Sequence, residues 1–194
     1  FILMFWAFAI MTYKARALLR EESMFDKHLI AANEGARILV EDTAQFTASL
    51  RSLPQDQRNL LLPRALDAAL LRFQTTANIQ SANDAVSATC ISESERLDSE
   101  LSMIRYITWA IPSIGFIGTV RGIGGALAQA HEAMEGDLAG ITSSLGVAFN
   151  STFVALLISM FVMFFMHQLQ LMQERLVLDT QGYCEQNLLR FLKS

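Results

Sequence analysis

The sequence predicts an all-α, polytopic membrane protein with three transmembrane helices and long helical cytoplasmic extensions, on three observations. Of its 194 residues, 52% are hydrophobic and only 18% are charged, against roughly 25% charged in ordinary soluble domains. From Leu138 to Gln173 there are 36 residues without one Asp, Glu, Lys or Arg, whereas about 20 apolar residues suffice to cross a bilayer. Elsewhere Leu, Ile, Val and Ala recur at helical spacings instead of alternating as in strands. High apolar content with 3 Pro and 2 Cys excludes disorder, a collagen-like chain and a disulfide scaffold. A net charge of -4 argues against a general nucleic-acid binder.

Residues 1–13 (FILMFWAFAIMTY) are apolar but rise only about 20 Å as a helix, short of a hydrocarbon core of roughly 30 Å. They read as the end of a first transmembrane helix, truncated at its N-terminus. Lys14, Arg16 and Arg20 stand where a signal peptide would carry its small-residue cleavage site, so they read as a stop after a span. Residues 14–103 carry ten basic and thirteen acidic side chains and read as a cytoplasmic helical region. Pro54 and Pro63 bracket PQDQRNLLLP, the expected break between a helix descending from the first span and one climbing to the second. Cys90 and Cys184 are expected as free thiols in a reducing compartment. Residues 104–130 form the second transmembrane helix, opened by Arg105 and interrupted further in only by Arg121. Residues 131–140 form a short periplasmic loop with Glu132, Glu135 and Asp137 and no basic residue. Residues 141–169 are the third transmembrane helix, continuing without Gly or Pro into a cytoplasmic C-terminal helix over 170–194 until Gly182. By the distribution of Lys and Arg, the N-terminus lies outside and the C-terminus inside.

Gly115, Gly118, Gly122 and Gly125 share one face of the second span, and Ser144, Ala148, Ser151, Ala155 and Ser159 share one face of the third. Narrow faces of small residues bring membrane helices into close contact, either within a subunit or between subunits. Asn150, Ser151 and Thr152 cluster near the middle of the third span, and Thr119 lies in the second. Such groups line a polar path or hold helices together, since lipid offers them no partner. No Asp or Glu lies within any span, and His167 sits at an interface rather than in a relay. A carboxylate for proton transfer would therefore come from another chain. Arg121 reads as snorkelling or structurally paired ahead of any part in conduction.

The stretch IPSIGFIGTVRGIGGAL, a short outer loop and then SLGVAFNSTFVALLISM resemble the MotA/TolQ/ExbB proton-channel family. The family motif Pro-x-x-Gly-x-x-Gly-Thr-Val-x-Gly falls on Pro112, Gly115, Gly118, Thr119, Val120 and Gly122, and Ser151 and Thr152 precede the aliphatic run of the later span. The resemblance implies a homopentamer in a bacterial inner membrane, around two single-span partners of MotB/TolR/ExbD type whose membrane Asp carries H⁺ or Na⁺. It also implies that Thr119 and Thr152 line the pore with Ser151 and Asn150 alongside, that Pro112 kinks its helix, and that Arg121 tunes the electrostatics beside the pore. Three features depart from the family: Arg121 itself, Asn150 beside the Ser-Thr pair, and LLIS where TolQ and ExbB often carry Pro. Three spans fit a TolQ/ExbB-like member or a ZorA-like motor of anti-phage defence better than MotA.

The leading reading is thus the channel subunit of an ion-driven motor, and the rival is an oligomeric membrane scaffold without conduction. No paired carboxylates in a span, metal-ligand spacing, nucleophile elbow or P-loop supports an enzyme, and no cofactor or metal is expected; Gly122–Gly125 lies inside a span and cradles no phosphate.

Overall fold

A computed structural model describes residues 1–27, 29–30, 38–131 and 138–193. Their elements are α1 (Ile2–Glu22), α2 (Thr43–Arg51), α3 (Gln55–Arg58), α4 (Leu61–Thr76), α5 (Ile79–Glu100), α6 (Ser102–Ala128) and α7 (Ala139–Asn187), with single 3-10 turns at Phe25–Lys27 and Leu189–Phe191. No strand forms among the described residues; Ile38 and Leu192 make one isolated parallel bridge. Three helices are long and apolar enough to cross a membrane. The acidic part of the expected outer loop, residues 132–137, lies outside the described residues. The chain divides into an apolar unit (Phe1–Tyr13 and Leu101–Leu169) and a polar unit (Lys14–Glu100 and Gln170–Ser194).

In the apolar unit, α6 buries Ile104, Ile107, Thr108, Ile111, Gly115 and Ala126, and α7 buries Ala148, Ala155, Ser159, Val162 and Leu169. Both sets follow the three-and-four spacing of one helical face. Phe8 of α1 meets Phe165 of α7 edge to face at 5.4 Å between ring centroids. The outer faces expose Ile114, Phe116 and Ile117 on α6 and Phe149, Phe153, Phe161 and Phe164 on α7. Large apolar side chains pointing outward are what lipid solvates.

The polar unit departs from the simple pair of helices expected from its prolines. The helix leaving the first span stops at Glu22 instead of running to Pro54. Pro63 does not break a helix: it sits in the first turn of α4, where a missing N–H costs nothing. The reversal falls at Ala77, whose left-handed φ of 49° closes α4 with an N–H donated to the Phe73 carbonyl at 2.8 Å. Asn78 then caps α5, its Oδ1 accepting the Gln80 and Ser81 N–H groups at 2.8 and 3.3 Å. α4 and α5 pack as an antiparallel pair around Leu66, Leu70, Phe73, Ala82, Val86 and Cys90, and the end of α7 adds Cys184 and Leu188 to that core. Both cysteines are buried free thiols. Gly182 leaves α7 unbroken, and a Cβ there would meet nothing within 4 Å.

Among the described residues of this unit one charge is buried deeply, the Glu93 carboxylate at 3% exposure. Arg64 reaches it at 3.1 Å and Arg96 binds it as well, while Arg96 also pairs with Glu100 at 2.7 Å and Lys14 pairs with Glu100. A buried carboxylate persists only with such partners. Glu21 supplies the cap that Leu60 lacks, accepting the Leu61 N–H at 2.8 Å where α4 begins.

Candidate functional site

The polar groups of the apolar unit meet along the contact between α6 and α7, which run antiparallel. Three of the four aligned glycines allow that contact. A Cβ at Gly115 would come 2.5 Å from Ala155 Cβ and 3.3 Å from Thr152 Cα. A Cβ at Gly118 would meet Ser151 Oγ at 2.7 Å. A Cβ at Gly122 would collide with Ala148 Cβ and stand 3.1 Å from both Ala148 Cα and the Ser144 carbonyl oxygen. Backbone thus approaches backbone, as small-residue faces permit in lipid. Gly125 is looser, since a Cβ there would lie 4.0 Å from Ser144 Oγ, and a Cβ at Gly124 would enter open space. The glycine face expected to serve either the subunit or its neighbours is filled, at these three positions, by the subunit's own α7.

Two threonines lie at the centre of the contact. Thr119 Oγ1 and Thr152 Oγ1 hydrogen-bond to each other. Thr152 Oγ1 also stands 2.8 Å from the Gly115 carbonyl and Thr119 Oγ1 3.2 Å from the Ala148 carbonyl; with one proton on each hydroxyl, one threonine donates to the other, and the one that accepts donates to its carbonyl. Ser151 Oγ turns back to the Ala148 carbonyl at 2.7 Å within its own helix. All three side chains are half-buried. Each hydroxyl therefore has an acceptor, as membrane depth demands.

Asn150 is not brought to this cluster. At about 100° per residue it lies across α7 from Ala148, Thr152 and Ala155, and it is exposed among outward-facing apolar side chains. Arg121 is likewise exposed on α6 and pairs with none of the described residues. Pro112 lies inside α6, which continues through it.

Proline has no N–H, so the carbonyl four residues before it loses its helical donor. That carbonyl belongs to Thr108, and Ser159 of α7 donates its hydroxyl to it at 2.9 Å in a buried position. Sequence reasoning places Ser159 among small packing residues and does not single out Thr108. A signal is nevertheless present: a proline inside a span implies an orphaned carbonyl, and the antiparallel register implies a donor on the facing helix. Ser159→Ala is expected to destabilise the α6–α7 pair by about 1–3 kcal/mol, the cost of an unsatisfied buried group. Ser159→Ala combined with Pro112→Ala is expected to lose less, because alanine brings back the N–H that proline lacks. Unfolding in mixed detergent micelles measures both, and strictly additive losses would contradict the pairing.

A model of the MotA/TolQ/ExbB proton channel family matches residues 57–181. The chain belongs to this family. The match takes in the proline, the three close-packed glycines and both threonines, and it extends through α4 and α5 of the polar unit. No curated protein and no solved structure matches the chain. As a MotA/TolQ/ExbB protein it is a membrane protein of a proton-channel family rather than a member of an enzyme family. Among the described residues no group of three or more His, Cys, Asp or Glu is arranged to hold a metal.

Proposed function

We propose that the chain is the ion-channel subunit of a motor in a bacterial inner membrane, its N-terminus outside and its C-terminus inside. Five copies surround a pair of single-span partners of MotB/TolR/ExbD type, and each partner brings the titrating Asp that these spans lack. Ions cross as that Asp passes the hydroxyl pair of Thr119 and Thr152, with Ser151 beside it, and the ring turns about the partner pair, converting ion-motive force into work. The driving ion is H⁺, with Na⁺ the other candidate for the same site. The work is that of a TolQ/ExbB-like energy coupler or a ZorA-like anti-phage motor.

The observation that carries this reading is a hydrogen-bonded threonine pair at the contact of two apolar spans, residues 104–130 and 141–169, that are free of acid. Threonine hydroxyls donate and accept, so they can exchange their present partners for a carboxyl group at low cost. One observation favours a scaffold without conduction: both hydroxyls already have acceptors inside the subunit, which suits simple interhelical glue. A mass measurement of the complex, purified with the single-span protein encoded beside it, separates the two. Five copies of this chain with two of a partner bearing a membrane Asp are expected. An oligomer with no such partner would favour the scaffold.

A further inference from the structure

Two polar side chains of the apolar unit are exposed and have no partner among the described residues, Arg121 on α6 and Asn150 on α7. Several hydroxyls of these helices are satisfied close by: Thr108, Ser113 and Thr142 each donate to the carbonyl four residues back, and Ser151 to the one three back. A guanidinium or a carboxamide carries too many polar groups to be satisfied that way. In lipid both are costly to leave open, and the Asn150 side chain is too short to reach the membrane surface.

The two lie at one depth. Gly118 stands against Ser151 and Gly122 against Ala148, so in this antiparallel register Asn150 is level with residues 119–120, within about 3 Å of Arg121 along the helix axis. Each is also two residues from a threonine of the central pair, Arg121 from Thr119 and Asn150 from Thr152, and two residues turn a helix by about 200°. Each therefore leaves its helix on the side away from the threonine, beside exposed Ile117 on α6 and exposed Val147, Phe153 and Val154 on α7. Gly146 lies one turn before Asn150 on the same face, and a Cβ there would meet nothing within 4 Å. That face is flat enough for another helix to approach.

We propose that Arg121 of one copy donates to the Asn150 side-chain oxygen of the next, a polar contact between copies at the depth of the threonine pair. A guanidinium offers only donors, and the Asn150 oxygen is an exposed acceptor at its level; no Asp or Glu stands in either span, 104–130 or 141–169, to pair with it instead. A partner helix bound at the threonines lies on the other side of both helices. Because donor and acceptor stand on different helices of one chain, repeating the contact round a closed ring leaves no Arg121 and no Asn150 unpaired. The inference rests on the proposed ring of copies and assigns the contact that fixes their register.

The test uses the full chain in membranes, expressed with the single-span protein encoded beside it. Two differently tagged copies are co-expressed, one carrying Arg121→Cys and the other Asn150→Cys, and are treated with a short membrane-permeant bismaleimide. Cys90 and Cys184 are buried, and each variant alone measures their background. A covalent dimer joining the two tags, absent when either substitution is missing, is expected. Gly146→Leu in both copies is expected to abolish it while α6 stays packed on α7, because the added side chain enters space that is open within the subunit. Arg121→Leu and Asn150→Leu are each expected to weaken association of the solubilised copies about tenfold, the effect of one charge-assisted hydrogen bond, and together no more than either alone. An oligomer that forms without this cross-link leaves the two groups to lipid or to the single-span protein, and it would overturn the contact while the ring stands, as would strictly additive losses. A chain that does not associate with itself would overturn the ring and the contact together.

Discussion

Gly122→Leu is expected to drive α6 and α7 apart and to prevent a stable helix pair from forming. A Cβ at that position would collide with Ala148 and press on the backbone of Ala148 and Ser144, and those backbone atoms cannot move without displacing α7. Overpacking of this kind costs roughly 3 kcal/mol or more. Even Gly122→Ala is expected to cost about 1–3 kcal/mol, and Gly115→Ala about as much, since its Cβ would meet Ala155 and Thr152. Gly124→Ala is the control, because its Cβ enters open space, and alanine is the better helix former by about 1 kcal/mol. Detergent unfolding should therefore rank Gly122→Leu well below Gly122→Ala, with Gly124→Ala at or above the unsubstituted protein. Equal behaviour of the Gly122 and Gly124 variants would contradict the close approach.

Thr152→Ala is expected to leave the helices packed but to abolish ion-driven activity, a loss of at least about tenfold if the hydroxyl meets the migrating charge. The substitution removes the hydroxyl that stands beside the Gly115 carbonyl and partners Thr119. It leaves a methyl group in place, so the glycine contacts survive. Thr152→Ser keeps the hydroxyl and is expected to retain most activity. The pair of substitutions separates chemistry from packing: equal activity in both would reduce Thr152 to a packing residue.

The three spans were legible because lipid imposes a severe rule, that long runs of apolar residues must be helical and free of charge. The glycine spacing was legible as well, since it follows from helix periodicity alone. What the spacing could not settle was where the glycine face points; that depends on which helix comes opposite, a tertiary fact decided by the match of Gly115, Gly118 and Gly122 to Ala155, Ser151 and Ala148. Asn150 looked like part of the polar cluster because it is adjacent in sequence to Ser151 and Thr152. On a helix, adjacency turns a side chain by about 100°, and Asn150 faces away.

The polar unit was harder to read. Two prolines drew the expected break to residues 54–63, yet proline in a first turn is harmless. The true reversal at Ala77 carries no glycine or proline, and only the capping residue Asn78 marks it in the sequence. The clamp on Glu93 was invisible for another reason: Arg64 lies 29 residues away from it, and only the packing of α4 on α5 brings the two together.

The central claim is that this MotA/TolQ/ExbB protein conducts ions only with a partner's carboxylate at the threonine pair. Proton uptake into liposomes carrying the chain and its co-purified single-span partner, driven by a membrane potential and followed with a pH-sensitive dye, tests it most directly. The expected result is uptake that disappears when the partner's membrane Asp is changed to Asn and when Thr152 is changed to Ala. Uptake no faster than in empty liposomes, or unaffected by either change, would contradict it.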